Sequence, residues 1–328
     1  MGLTTKIIGT GSYLPDDVLT SSELAERLGI EEQWILDKTG IKERHIAHSE
    51  EVTSDLAARA AEQALAAAKI PATDVDVLIV ATVTPDQPIP ATACFVQDKI
   101  GATNATAFDI AAGCSGFVFA LSMAHDMLVA NPERNTALVI GAEVFSRFVD
   151  YSDKKTCILF GDGAGAAVVR KTSGELGMIA TSTRSDGAKA EIAYIRAGGA
   201  RVPASAETVE ARDHYLRLNG REIREVVTGS LSGLVSELLE KAKISIDDVS
   251  LIVPHQLNGV MLDQWPSMLG TREDAVYRTV SWSGNTAAAS ISIALDDAVR
   301  KGNVSNGDIV MLLAFGAGLT LGGAVLEW

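Results

Sequence analysis

The chain has 328 residues and a mass of 34.5 kDa, about two ordinary domains long and enough to bury a large core without disulfides or metals. Its 28 Lys and Arg against 42 Asp and Glu leave a net charge of −14, which excludes a binder of nucleic-acid backbones, since that needs a basic footprint. An apolar content of 47% with only 5% aromatics and 29 glycines excludes disorder and suits a packed α/β protein.

In chain order, Lys6 to Gly9 reads as a short strand, and Ser54-Asp55-Leu56 caps an Ala-rich helix running to about Lys69. The buried strand Val77 to Ala81 follows. Asp109 to Cys114 forms a strand-to-helix turn into an Ala/Leu/Met-rich helix, and the glycine-laced Leu159 to Val168 closes the first half as a strand pair. The second half repeats these landmarks. Helix Leu234 to Lys243 leads into strand Leu251-Ile252-Val253, Trp282-Ser283-Gly284-Asn285 turns into helix Thr286 to Val299, and Ala314 to Val325 forms the closing strand pair. The letters also repeat: Ala68-Lys69-Ile70 with Leu78-Ile79-Val80 matches Ala242-Lys243-Ile244 with Leu251-Ile252-Val253. Paired landmarks in one order imply a duplicated α/β domain, residues 1–172 and 173–328, with an intimate interface. The polar stretch 183–215 reads as an excursion near a site or an oligomer surface. No uninterrupted apolar run reaches the roughly 18 to 20 residues that span a bilayer. The segment from Met1 to Gly9 lacks the apolar core of a signal peptide, so the cytoplasm is the expected compartment.

Duplicated α/β domains place their chemistry where strand ends of the two halves meet. Three cysteines fit reduced thiols better than a disulfide scheme. Cys114 follows Gly113 at a helix N-terminus, where free N–H groups and the helix dipole favour a thiolate; Cys94 and Cys157 read as buried fillers. Asn285 holds the corresponding turn in the second half, where it serves equally as a helix cap or as a donor to a developing oxyanion. His255 directly follows a buried strand and points to the interface between halves. His45, His48, His125 and His214 read as solvated or satisfied, His125 and His214 on helices. No Cys/His spacing resembles a zinc site.

Four segments together resemble a known family. Ala111 to Phe117, Val253 to Asn258, Gly284 to Ser290 and Phe315 to Gly318 are similar to the Cys, His, Asn and closing-loop motifs of β-ketoacyl-acyl carrier protein synthase III, and Ile8 to Pro15 and Trp34 to Ile41 extend the match over essentially the whole chain. The resemblance implies the thiolase fold, a duplicated five-layer αβαβα sandwich, usually a homodimer. It further implies an acyltransferase of fatty-acid or polyketide biosynthesis that needs no cofactor: Cys114 takes an acyl group from acyl-CoA, and His255 and Asn285 stabilise the enolate formed as a malonyl thioester loses carbon dioxide. The N–H groups of Cys114 and Ala317 form the oxyanion hole, and Phe315 shields the site. Trp34, Lys38, Lys154 and Asn258 fall where the family contacts CoA and its pantetheine arm, and Arg221 and Arg224, three apart on one helix face, are the candidates to replace the family's basic carrier-docking residue, where this chain has Glu225.

Several positions depart from the housekeeping enzyme. Val260 replaces a common Arg, the stretch Met261 to Leu269 carries no Lys or Arg, and Glu225 stands where a base is usual, leaving little for an acidic carrier protein. Lys38 and Lys154 replace arginines, Ser283 a His or Tyr, and Ala317 a glycine, changes that suit a relative from secondary metabolism. Two other readings stay beside the condensing enzyme: an acyltransferase or pyrone-forming enzyme on the same fold, and a non-catalytic subunit of a condensing heterodimer, against which the intact Cys114, His255 and Asn285 count.

Overall fold

A strand buried on both faces reads as one continuous apolar run, and Val77–Ala81 is such a strand: Val77, Ile79 and Ala81 face one core while Leu78 and Val80 face another. In the computed structural model, which describes residues 2–174 and 177–328, this strand lies in a five-stranded sheet. The spatial order of that sheet is Leu3–Tyr13, Gly163–Ser173, Thr136–Glu143, Val77–Ala81, Thr106–Ile110. Val77–Ala81 runs parallel to both neighbours, and Gly163–Ser173 runs antiparallel to both of its own.

The second sheet takes Leu251–Pro254, Ile309–Gly316, Thr320–Glu327 and Met178–Ser185 in that order, with the first pair parallel and the others antiparallel. Beside Leu251–Pro254, where the first sheet has Thr106–Ile110, a parallel bridge from Ile252 to Val276 is all that stands for a fifth strand. Counted within each half, both sheets therefore run first, fifth, fourth, second, third.

The helices make three layers around the two sheets. Gly116–Ala130 and Ser290–Arg300 lie between the sheets, where Phe117, Leu121, Leu128, Ile291 and Leu295 join Ile79, Val139, Val253 and Leu312 in one core. Burying side chains of this size stabilises by about 1.5–3 kcal/mol each. Thr53–Ala68 covers the outer face of the first sheet, and Gly220–Ala242 that of the second. The central position explains the composition of the Cys114 helix. The stretch Gly113–Ala130 is apolar and long enough to cross a bilayer, but its apolar faces are taken by the two sheets.

Three expected elements differ. The stretch 159–162 is loop, so the first half closes with Gly163–Ser173 against Thr136–Glu143, whereas the second closes with a true hairpin. The Asn285 turn is entered from a short helix, Val280–Ser283, because the strand that would precede it has shrunk to Val276. His214 sits in a turn rather than a helix. The excursion carries a two-strand ribbon, Ala193–Tyr194 with Arg217–Leu218.

Candidate active site

Cys114, His255 and Asn285 come from three separate chain segments and line one cavity of about 1170 Å³. Each is placed by the end of an element. Cys114 lies in the 3-10 turn Gly113–Ser115, and Gly113 adopts φ +56° there, a left-handed conformation that suits glycine. A Cβ on Gly113 would lie 2.6 Å from the Ala317 nitrogen, and one on Gly316 would lie 2.7 Å from the Cys114 nitrogen. Two bare backbone strips thus press together and set the Cys114 and Ala317 amides side by side. Thr320 locks the pair, donating through Oγ1 to the Ala112 carbonyl at 2.8 Å.

His255 continues Leu251–Pro254, its backbone N–H donating to the Leu313 carbonyl at 2.7 Å. Its Nδ1 is 2.6 Å from Ser290 Oγ, which also accepts from the Gln256 N–H at 3.4 Å. We assign the Ser290 proton to the bond with Nδ1 and the ring hydrogen to Nε2, the tautomer that leaves His255 a donor on the side away from Ser290. Burial lowers the His255 pKa to about 3, so the ring is a neutral donor and a poor base. Gln256, fully buried, accepts from Thr279 and Val280 N–H and donates to the Pro254 and Tyr277 carbonyls, anchoring the strand end.

The Asn285 backbone is pinned by Leu159 and Gly161, and its Oδ1 accepts from the Ala287 N–H at 2.9 Å. Cap and donor prove compatible: the oxygen caps the turn, while Nδ2, held only by a 3.5 Å contact to the Leu257 carbonyl, remains to donate.

The thiol departs from expectation. Burial first, and the charge of Glu143 second, push the Cys114 pKa up to about 12, so the helix terminus does not maintain a resting thiolate. Cys94 is exposed on Thr92–Ile100 rather than a buried filler, whereas Cys157 is buried. Phe315, 4% exposed, lines the cavity edge-on to Trp265, with ring centres 6.0 Å apart.

Around the mouth, Lys154 Nζ lies 5.4 Å from the centre of the Trp34 ring, a cation–π contact in place of guanidinium stacking. Asn258 lines the cavity, but its amide is engaged, donating to the Lys38 carbonyl at 2.8 Å and capping Met261. Arg221 is tied to Glu225 at 2.9 Å, while Arg224 stands exposed beside it. Sequence reasoning missed Ser290 and Gln256, which work through His255, and Lys155 and Lys189, which line the cavity with Lys38, Lys154, Arg221 and Arg224. Six cations and no Asp or Glu line the cavity among the described residues. The missed lysines carry no local signal, since a basic residue in a polar stretch looks like any solvated surface.

Comparison with known proteins gives the family and the fold. Residues 108–187 match the family model of 3-oxoacyl-[acyl-carrier-protein] synthase III, and residues 239–328 match that of its C-terminal part. The chain is 44% identical over 322 residues to the beta-ketoacyl-[acyl-carrier-protein] synthase III of Caldanaerobacter subterraneus, covering 98% of this chain and 97% of the relative. It belongs to the β-ketoacyl-ACP synthase III family.

The synthase III of Clostridioides difficile is 42% identical over 328 residues, covering 100% and 99% of the two chains. Among solved structures, the synthase III of Aquifex aeolicus superposes with a TM-score of 0.90 at 40% identity, covering 99% of this chain and 100% of that one. A priming β-ketosynthase of a polyketide pathway gives 0.91 at 30% identity, covering 98% and 96%. The fold is thus that of synthase III enzymes, the thiolase fold.

Proposed function

We propose that the chain performs the decarboxylative Claisen condensation of its family on Cys114, His255 and Asn285, joining an acyl-CoA primer to a malonyl thioester. The observation that carries the reading is one cavity holding a thiol, a neutral imidazole donor and an amide donor under a basic mouth. The Cys114 thiol attacks the acyl carbonyl, and its proton leaves with the CoA thiol. The paired amides of Cys114 and Ala317 hold the oxyanion of that step, each such donor contributing about 3–4 kcal/mol to the transition state. The malonyl carbonyl then accepts from His255 Nε2 and Asn285 Nδ2. Carbon dioxide departs, and the resulting carbanion attacks the acyl-Cys114 carbonyl. The expelled thiolate takes a proton and restores the thiol. The chemistry runs on thioesters alone and requires no cofactor.

Among carriers, the basic mouth favours the phosphates of CoA for the primer. Of the two helix arginines, Arg221 is tied to Glu225 and Arg224 is not, and the stretch Val260 to Leu269 carries no Lys or Arg, so this face offers an acidic carrier protein little positive charge. The working unit we infer is a cytoplasmic homodimer whose subunit divides at residues 172 and 173. The edge strand Thr106–Ile110 pairs on one side only, and Ile89, 84% exposed, stands on the loop after its neighbour.

The test is intact-protein mass spectrometry after exposure to a panel of acyl-CoAs, followed by labelled malonyl thioester. An acyl adduct lost in Cys114→Ala and kept in Cys94→Ala, with carbon dioxide released on condensation, is the expected result. Acyl transfer without carbon dioxide would replace this reading with a simple acyltransferase, and no adduct at all would leave a non-catalytic subunit.

A further inference from the structure

The carboxyl of Glu143 is fully buried at the end of the strand Thr136–Glu143, and the condensation described above gives it nothing to do. A carboxyl buried without a cation beside it is costly unless its oxygens are well supplied with donors. Here they accept from Thr84 Oγ1 at 2.6 Å, Thr82 Oγ1 at 3.2 Å, the Val83 N–H at 3.2 Å and the Ala288 N–H. These donors belong to two segments that build the site. Val83 lines the cavity, and Ala288 lies three residues after Asn285, in the turn that Asn285 caps.

Ala288 is also wedged sterically. A Cβ on Gly141, on the Glu143 strand, would lie 2.4 Å from its carbonyl oxygen, and one on Gly116, at the start of the Cys114 helix, would lie 3.4 Å from its side chain. The Asn285 turn is therefore held between the Cys114 turn and the Glu143 strand, with the carboxylate as the polar part of the clamp. The same charge acts on the Cys114 thiol.

We propose that Glu143 is a positioning residue that fixes the Asn285 turn against the Cys114 turn, and that its negative charge adds to the burial that disfavours the Cys114 thiolate. Burial pushes the Glu143 pKa up to about 7, opposed by the bonds from Thr84, Val83, Ala288 and Thr82, so the charge is switchable near neutrality. The groups bonded to it are two threonine hydroxyls and two backbone amides, none of which titrates in this range, and the titratable group its charge acts on is the Cys114 thiol.

The proposal rests on the acyl-Cys114 reading, and its test separates the two. In a Cys94→Ala background, Cys114 alkylation by iodoacetamide is followed by intact mass from pH 5 to 9 with no substrate present. For Glu143 as found, the logarithm of the rate rises with pH but flattens across the titration of the carboxyl, because the two ionisations are coupled. Glu143→Gln, which keeps the shape and loses the charge, removes the flattening and raises the rate about tenfold at pH 8, because the thiol loses the charge that opposes its ionisation. Glu143→Asp keeps the charge and shortens the reach, so alkylation stays within about twofold while kcat for condensation falls and KM for acyl-CoA holds. A profile rising without a break in the Glu143 protein overturns the electrostatic role even if Glu143→Gln fails to fold. An unchanged kcat in Glu143→Asp overturns the positioning role. Absence of an acyl adduct in the unmutated protein would instead overturn the acyl-Cys114 reading and leave the alkylation result standing.

Discussion

A neutral buried histidine has a thermodynamic signature distinct from its chemical one. His255 has its pKa lowered to about 3 by burial, against about 6.5 in an unfolded chain. As pH falls below 6.5 the unfolded chain takes up a proton that the folded chain refuses. The stability tied to this group is therefore present above pH 6.5 and lost on acidification, at about 1.4 kcal/mol per pH unit. Between pH 6.5 and 5 the loss attributable to His255 is about 2 kcal/mol, and His255→Asn removes that increment while keeping a polar side chain in place. Urea unfolding of both proteins at the two pH values checks it: equal losses on acidification would show that His255 is solvated in solution. The same substitution should lower malonyl decarboxylation by about 10²–10³ while Cys114 still acylates, because in the proposed mechanism the imidazole donates only to the enolate.

Turns placed at element ends make the site sensitive to backbone contact. Gly141→Ala drives a methyl into the Ala288 carbonyl of the Asn285 turn, where neither backbone can yield cheaply, so it is expected to destabilise by about 1–3 kcal/mol and to lower condensation more than acylation. Gly229, in the helix Gly220–Ala242, has open space where its Cβ would go, and the same substitution there should stabilise by about 0.5–1 kcal/mol. Thermal unfolding of both variants measures the contrast; a Gly141→Ala protein as stable as its parent would mean the strand and turn are not in contact. What the residues disclosed followed from the same geometry. Continuous apolar runs such as Val77–Ala81 and Leu251–Pro254 announce strands covered on both faces, and the residues just past strand ends, the Cys114 turn after Thr106–Ile110 and His255 after Leu251–Pro254, announce a site. Glu143 stayed hidden because it ends the buried run Thr136–Glu143, where a lone carboxylate looks like a strand terminus at the surface. The Val276 bridge stayed hidden because a single paired residue leaves no periodicity to read. The low-pKa thiol expected at a helix N-terminus failed because the dipole is a local term, and burial with a neighbouring carboxylate outweighs it.

Across the whole molecule, charge is distributed against its own average. The chain carries 42 acidic residues and 28 basic ones, yet among the described residues the cavity is lined by six cations and no acids. An anionic thioester approaching this protein meets net repulsion at long range and attraction only near the mouth. Added salt weakens both, but the attractive contacts at the mouth act at the shorter distances where the bound state is formed. For acyl-CoA, KM should therefore rise by about three- to tenfold between roughly 20 and 300 mM NaCl, with kcat unchanged, because the phosphates are bound but take no part in the chemistry. An acyl thioester on a short uncharged thiol lacks those phosphates, and its KM should stay flat over the same range. Lys154→Ala combined with Lys155→Ala should reproduce at low salt most of the loss seen for acyl-CoA and change nothing for the uncharged thioester. Steady-state kinetics with the two substrates decide the matter: a parallel salt dependence for both would mean that ionic strength acts on the protein as a whole, and that the six cations at the mouth do not read the carrier.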